Sequence, residues 1–200
     1  MFVISLKTEA GGETGRIQLS DGSLFSYKIC YLPADFGSVS EGNEITAIEE
    51  ESFRFASECL RAEKAALRLI TRAEQCTSGL SRKLEQKRHS AACVNAVLSQ
   101  LTELKLVDDS RFARLWLESR LRLARSPRRL QSALANRGID RETAQTALKT
   151  VLNEETEQLL LSRFAEKRLR KTDERQLKYL LKSEGFSREA INQYFEECDL

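Results

Sequence analysis

Leu106-Val107-Asp108-Asp109-Ser110-Arg111-Phe112-Ala113-Arg114-Leu115-Trp116, running on through Leu117–Arg125 to Ser126-Pro127-Arg128-Arg129-Leu130 and closing at Arg137-Gly138-Ile139, decides how the chain folds. Helix starts and stops follow one another closely here. Asp108 and Asp109 suit a helix start as cap and dipole partner. Ser126 suits an N-cap and Pro127 the first helical position, where its missing N–H costs nothing. Gly138 suits a helix end in the left-handed conformation, with Ile139 packing back. Asp140 caps a further helix carrying Ala144, Ala147, Leu148 and Val151 on one face. Between Arg111 and Arg137 there are eight arginines and one acid, Glu118.

Placed at 100° per residue, Phe112 to Arg125 forms one amphipathic helix. Phe112, Ala113, Leu115, Trp116, Leu117, Leu121, Leu123 and Ala124 fill a broad apolar arc. Arg111, Arg114, Arg122 and Arg125 form a stripe opposite, with Glu118 among them. Trp116 reads as core. Arg120 falls inside the apolar arc, so it is expected to be largely buried and bonded to carboxylate or helix-end carbonyl oxygen.

This pattern repeats. Leu80/Leu84, Leu130/Leu134 and Leu177/Leu181 align at offsets of 50 and then 47 residues. The same offsets align Ser90, Asp140 and Ser187 as caps. First helices are expected near 57–75, 109–125 and 154–170. Second helices are expected near 77–88, 127–137 and 173–184, and third helices near 91–105, 141–152 and 188–197. Units that each leave an apolar face uncovered tend to stack into an extended array. One departure stands out: the helix-ending glycine is Gly138 and Gly185 in the later units but Arg88 in the first.

The N-terminal segment alternates instead. Phe2, Ile4 and Leu6 share one side, Ile17 and Leu19 another, and Asp21-Gly22 is a hairpin signal leading to a strand from Ser23 to Tyr27. A short helical turn is expected within 29–35. Thr46 and Glu49 have the form of a capping box, so the helical body begins there. The sheet buries too little to stand alone and should pack on that body. The expected fold is therefore mainly α: three tandem three-helix repeats forming an extended array, preceded by a small antiparallel β-sheet. Its segments are 1–45 (sheet), 46–106, 107–152 and 153–200.

The net charge of +2 conceals a split, −5 over residues 1–56 and +7 over 57–200. A basic helical body is compatible with nucleic acid or an acidic protein surface. The five cysteines are scattered without CxxC spacing, as free thiols in a reducing cytoplasm would be. No signal peptide and no apolar run of about 20 residues appears, which argues against a membrane role. No Gly-rich phosphate loop, GxSxG or Cys/His ligand spacing appears, and His89 reads as a solvent-facing turn residue. Neither catalysis nor a cofactor is expected.

Leu106 to Ala113, Trp116, Arg120, Pro127-Arg128-Arg129-Leu130 and Leu134 to Ile139 resemble the central motif of the RecX family. Ser126 departs from it, since glycine often precedes the proline there. RecX proteins regulate the bacterial recombinase RecA. The resemblance implies a cytoplasmic modulator, expected to inhibit, that lodges in the RecA filament groove on single-stranded DNA. There it restrains filament growth, ATP hydrolysis and strand exchange, in the setting of DNA repair, recombination and the SOS response. It is expected to act as a monomer. Arginine makes forked contacts with phosphate and carboxylate, so Arg111, Arg114, Arg122, Arg125, Arg128 and Arg129 are the expected partner-binding residues. A second basic run is Lys167, Arg168, Arg170 and Lys171. The alternative is a free-standing DNA-binding protein of helix-turn-helix type, although no single helix stands out as a base reader.

Overall fold

The structure, a computed structural model, describes residues 1–9, 11–34, 36–37, 39–123, 125–169 and 173–198; the side chains of Arg122, Lys167, Leu169, Glu197 and Cys198 fall outside that description. The chain is mainly helical, with a small antiparallel sheet at its N-terminus. It falls into two compact units. One is Met1–Glu74 with Leu80–Val107, and the other is Gln75–Gly79 with Asp108–Leu200. The segment boundaries at 45, 106 and 152 thus stand as a proposal about repeated helix order, not about separate compactness.

In the first unit, β1 (Val3–Thr8), β2 (Thr14–Leu19) and β3 (Leu24–Lys28) form a sheet in the order β1-β2-β3. The Asp21 carboxylate accepts from the Ser23 amide at 2.9 Å and so holds the hairpin turn. One turn of 3-10 helix follows at Ile29–Tyr31. Phe2, Ile4 and Leu6 do not share one side of β1, as their alternation predicts. Val3 is buried, while Phe2 and Ile4 are 54% and 56% exposed. The cause is a register shift between Val3 and Ser5, which pairs Val3 with Leu19 but Leu6 with Ile17. An inserted residue in a strand reverses the alternation beyond it. Both Val3 and Leu6 therefore pack on the core.

α1 runs unbroken from Ala47 to Ile70, so the expected first helix near 57–75 began too late and ended too late. Its start is the capping box, in which Thr46 Oγ1 accepts from the Glu49 amide and Glu49 accepts from the Thr46 amide at 2.7 Å. The sheet packs against it. Phe53 lies at the centre of this core, with the rings of Tyr27 and Phe36 each 5.0 Å from its own. Burying a side chain of this size is worth roughly 1.5–3 kcal/mol. One polar cluster is enclosed as well. Glu63 accepts from Lys28 Nζ at 2.8 Å and from the Tyr31 hydroxyl at 3.0 Å. Burial and then the Glu63 charge push the Tyr31 pKa up. For Lys28, burial acts to lower the pKa, but the Glu63 hydrogen bond and charge together outweigh it, and the net direction is up.

The remaining helices are α2 (Thr77–Gln86), α3 (Ala91–Glu103), α4 (Asp109–Arg120), α5 (Pro127–Ala135), α6 (Arg141–Val151), α7 (Glu154–Leu169), α8 (Glu174–Ser183) and α9 (Arg188–Cys198). The aligned caps form as the offsets require. Ser90, Asp140 and Ser187 accept from the amides of Cys93, Thr143 and Ala190. Leu130, Leu134, Leu177 and Leu181 are fully buried in the core of the second unit, with Leu160, Leu161 and Phe164 of α7.

The turn ending each second helix has the same hydrogen bonds. The amides of His89, Ile139 and Phe186 reach back to the carbonyls of Leu84, Leu134 and Leu181 at 3.3, 3.2 and 3.2 Å. All three turns place a residue in the left-handed region, with φ of 67° at Arg88, 84° at Gly138 and 87° at Gly185. The glycine is a necessity at one of them. A Cβ on Gly138 would overlap the side chain of Ser78, at the start of α2. A Cβ on Gly185 would come only to ordinary contact distance of Pro127 and Arg128, the corresponding start of α5. Arg88 is exposed, so it meets only the backbone penalty of roughly 1 kcal/mol.

Candidate partner-binding surface

The segment richest in arginine does not form the single helix that its pattern predicts. α4 stops at Arg120, and Leu121–Leu123 form one turn of 3-10 helix. The expected span of 109–125 is therefore too long. Arg125 therefore lies beyond α4, in the stretch before α5, and the side chain of Arg122 is outside the described residues.

At the start of α4, Asp108 caps the helix, accepting from the Arg111 amide at 2.9 Å. Asp109 does something the sequence did not reveal: its carboxylate accepts from the Thr77 amide at 2.7 Å, satisfying the first turn of α2. Both acids thus have structural work. Arg111 is half-buried. Arg114 is exposed and stands 4.0 Å from Glu118 across one helical turn. An exposed pair at that distance holds its guanidinium by less than about 1 kcal/mol, leaving Arg114 available to a partner. Arg125 is exposed just before α5.

Arg128 and Arg129 sit in the first turn of α5, capped by Ser126. Cations at a helix N-terminus face the positive end of its dipole, so an anion is favoured there. The chain supplies one in Glu184, at the end of α8. Its carboxylate accepts from the Ser126 hydroxyl and lies 3.9 Å from Arg129 Nε. Arg128 donates from its amide to the Glu184 carbonyl at 3.0 Å and from its guanidinium to the Ser183 carbonyl at 3.1 Å. Both arginines remain exposed. They are anchored side chains on a surface, held in position by the α8–α9 turn. A groove of about 650 Å³ opens beside them, lined in part by Gln131, Gln145, Lys149 and Glu157.

Trp116 is half-buried and packs against the core. The guanidinium of Arg137 lies 4.4 Å and that of Arg120 5.6 Å from its ring centre. Arg120 thus departs from expectation. It is half-buried rather than largely buried, and its Nε is enclosed with no hydrogen-bond partner among the described residues. The aromatic face takes the place of the expected carboxylate. A cation over tryptophan can be held in this way without an ion pair.

In the second basic run, Arg168 is half-buried with its guanidinium 3.8 Å from the centre of the Phe164 ring. Arg170 and Lys171 lie outside the described residues, as do the side chains of Lys167 and Arg122. Among the described residues, no helix is long and apolar enough to cross a membrane.

Known proteins resemble this arrangement. The family model described as RecX, second three-helix domain, matches residues 108–148, from the cap of α4 to the middle of α6. The regulatory protein RecX of Treponema pallidum is 34% identical over 114 residues, spanning 56% of this chain and 70% of the relative. That of Legionella pneumophila is 30% identical over 144 residues, spanning 68% of this chain and 94% of the relative. Among solved structures, a regulatory protein RecX superposes with a TM-score of 0.71 over 96% of this chain and 97% of its own. RecX from Lactobacillus salivarius reaches 0.58 over 72% and 98%. At 20% identity, these two likenesses speak to the fold.

Proposed function

Because this chain belongs to the RecX family of regulatory proteins, we propose that it binds the RecA–DNA filament and restrains filament growth, ATP hydrolysis and strand exchange. It acts in the cytoplasm as a monomer without catalysis of its own, within DNA repair and recombination and the SOS response. The observation that carries this reading is the coincidence of two features. The segment matched to the family, residues 108–148, is also the one that holds Arg114, Arg125, Arg128 and Arg129 exposed.

The working surface in this proposal is the α4–α5 segment. Arg114 and Arg125 are its exposed cations outside α5, and Arg128 and Arg129 its anchored ones. Phosphate and carboxylate are both forked acceptors for guanidinium, so the same side chains can serve filament protein and DNA. Arg111 and Arg122 belong to the proposal by position in the sequence, and Lys167, Arg168, Arg170 and Lys171 form its second contact.

The test is RecA-driven ATP hydrolysis on single-stranded DNA, measured with increasing amounts of this protein. Restraint that deepens as more of this protein is added is the expected result. Unchanged hydrolysis, together with tight binding to free DNA, would favour the helix-turn-helix alternative instead.

A further inference from the structure

We propose that the first unit holds a zinc-type divalent ion between Glu58 of α1, His89 of the α2–α3 turn and Cys93 in the first turn of α3. The three donor atoms, a carboxylate oxygen, an imidazole nitrogen and a sulfur, all lie within 4.8 Å of one another. A triangle of that size contains a point no more than about 2.8 Å from each corner, and zinc bonds these donors at about 2.0–2.3 Å. Closing the site therefore asks each side chain to move by on the order of 0.5–1 Å, within the reach of small rotamer adjustments.

The surroundings position all three donors. Glu58 is fixed by the Ser90 amide, which donates to its Oε1 at 2.7 Å and leaves the other oxygen available. A ligating carboxylate is commonly oriented by such an outer hydrogen bond. His89 and Cys93 are four residues apart across the cap of α3, which brings their side chains to one side. The left-handed turn at Arg88 delivers His89 to that place, half-buried, instead of into open solvent. Cys93 is fully buried in the first turn of α3. Cys59 belongs to the same buried core cluster. In the proposed site Cys59 is not a ligand, and water takes the fourth position.

The donor set selects the ion. One thiolate and one carboxylate balance a charge of +2, with the imidazole neutral. A soft sulfur and an imidazole nitrogen suit zinc or cobalt and discriminate against magnesium and calcium, which take oxygen donors. Binding displaces the thiol proton to solvent, and no other bond changes.

Cobalt(II) serves as the probe, titrated into the full-length, reduced protein and followed by absorption. One equivalent should bind with a sulfur-to-cobalt charge-transfer band in the near ultraviolet, and zinc should abolish the band by displacement. His89→Ala should weaken cobalt binding at least tenfold, and Cys93→Ser should remove the band. Cys59→Ser should keep it. Zinc should raise the melting temperature of the parent but not that of His89→Ala. The absence of a band in the reduced parent, or a band undiminished in His89→Ala, overturns the proposal. His89 is a turn residue, so that variant decides the matter even where Cys93→Ser fails to fold.

Discussion

Gly138 and Ser78 lie so close that the glycine's missing side chain is what lets the end of α5 meet the start of α2. Beside them the Cys76 thiol donates to the Arg137 carbonyl at 3.4 Å. At the 47-residue offset the junction recurs: Glu184 takes the place of Arg137, and its carbonyl accepts from the Arg128 amide. In both junctions the carbonyl at the end of the second helix accepts a hydrogen bond, from different kinds of donor. Gly138→Ala should cost more than the roughly 1–2 kcal/mol of left-handed backbone strain, because Ser78 must also move. Arg88→Gly should stabilise by up to about 1 kcal/mol, since it relieves the same strain where the turn is exposed. Urea denaturation of both variants checks the opposite signs.

Arg120→Ala should lower stability by only about 1 kcal/mol, the size of a cation–π interaction together with some packing by the side-chain stem. Arg120→Met keeps the stem and removes the enclosed Nε that lacks a partner, so it should be neutral or stabilising. A loss above about 3 kcal/mol in the alanine variant would instead reveal a buried ion pair. The denaturation midpoint distinguishes these outcomes.

Reversing charge at Arg114 and Arg125 should leave the fold intact, because both are exposed. Restraint of RecA's ATP hydrolysis should nevertheless fall several-fold. Where these arginines meet phosphate, the salt dependence of binding should flatten by roughly 0.7 in log–log slope for each phosphate no longer neutralised on single strands. A correctly folded double variant that restrains RecA as fully as its parent would falsify α4–α5 as the working surface.

The Lys28–Glu63–Tyr31 cluster makes an alkaline prediction. Both proton-bearing groups have pKa values raised in the fold above their ordinary 10.5 and 10.0. The folded state therefore keeps protons that the unfolded chain releases. Their stabilisation is complete below about pH 10 and is lost as pH rises through the folded values. Thermal melts from pH 8 to 11.5 should show this decline. Glu63→Gln should flatten it while lowering stability at neutral pH.

Helix starts were legible because each carries its own chemistry: Thr46 with Glu49, Ser90, Asp108, Ser126, Asp140 and Ser187 all cap as their side chains require. The end of α4 was not legible. No glycine or proline lies between Arg120 and Ser126, and the apolar spacing runs on unbroken. The reversal in β1 was hidden for a similar reason, since an inserted residue leaves a strand's composition unchanged. At the candidate surface, the exposure of Arg114, Arg125, Arg128 and Arg129 followed from the sequence. The anchoring of Arg128 and Arg129 did not, because Glu184 approaches Arg129 from 55 residues away. The Glu58, His89 and Cys93 grouping is likewise spread over two helices and a turn, with no ligand spacing to reveal it.

Trp116 is the chain's one tryptophan, and it belongs to the unit of Gln75–Gly79 and Asp108–Leu200. Tyr27 and Tyr31 lie in the other unit. Indole emission consequently reports on one half of the molecule by itself, while far-ultraviolet dichroism averages over both. With two guanidiniums near its ring, the indole should change its emission as either arginine is drawn away. A fluorimeter can therefore register engagement at this segment without any added label.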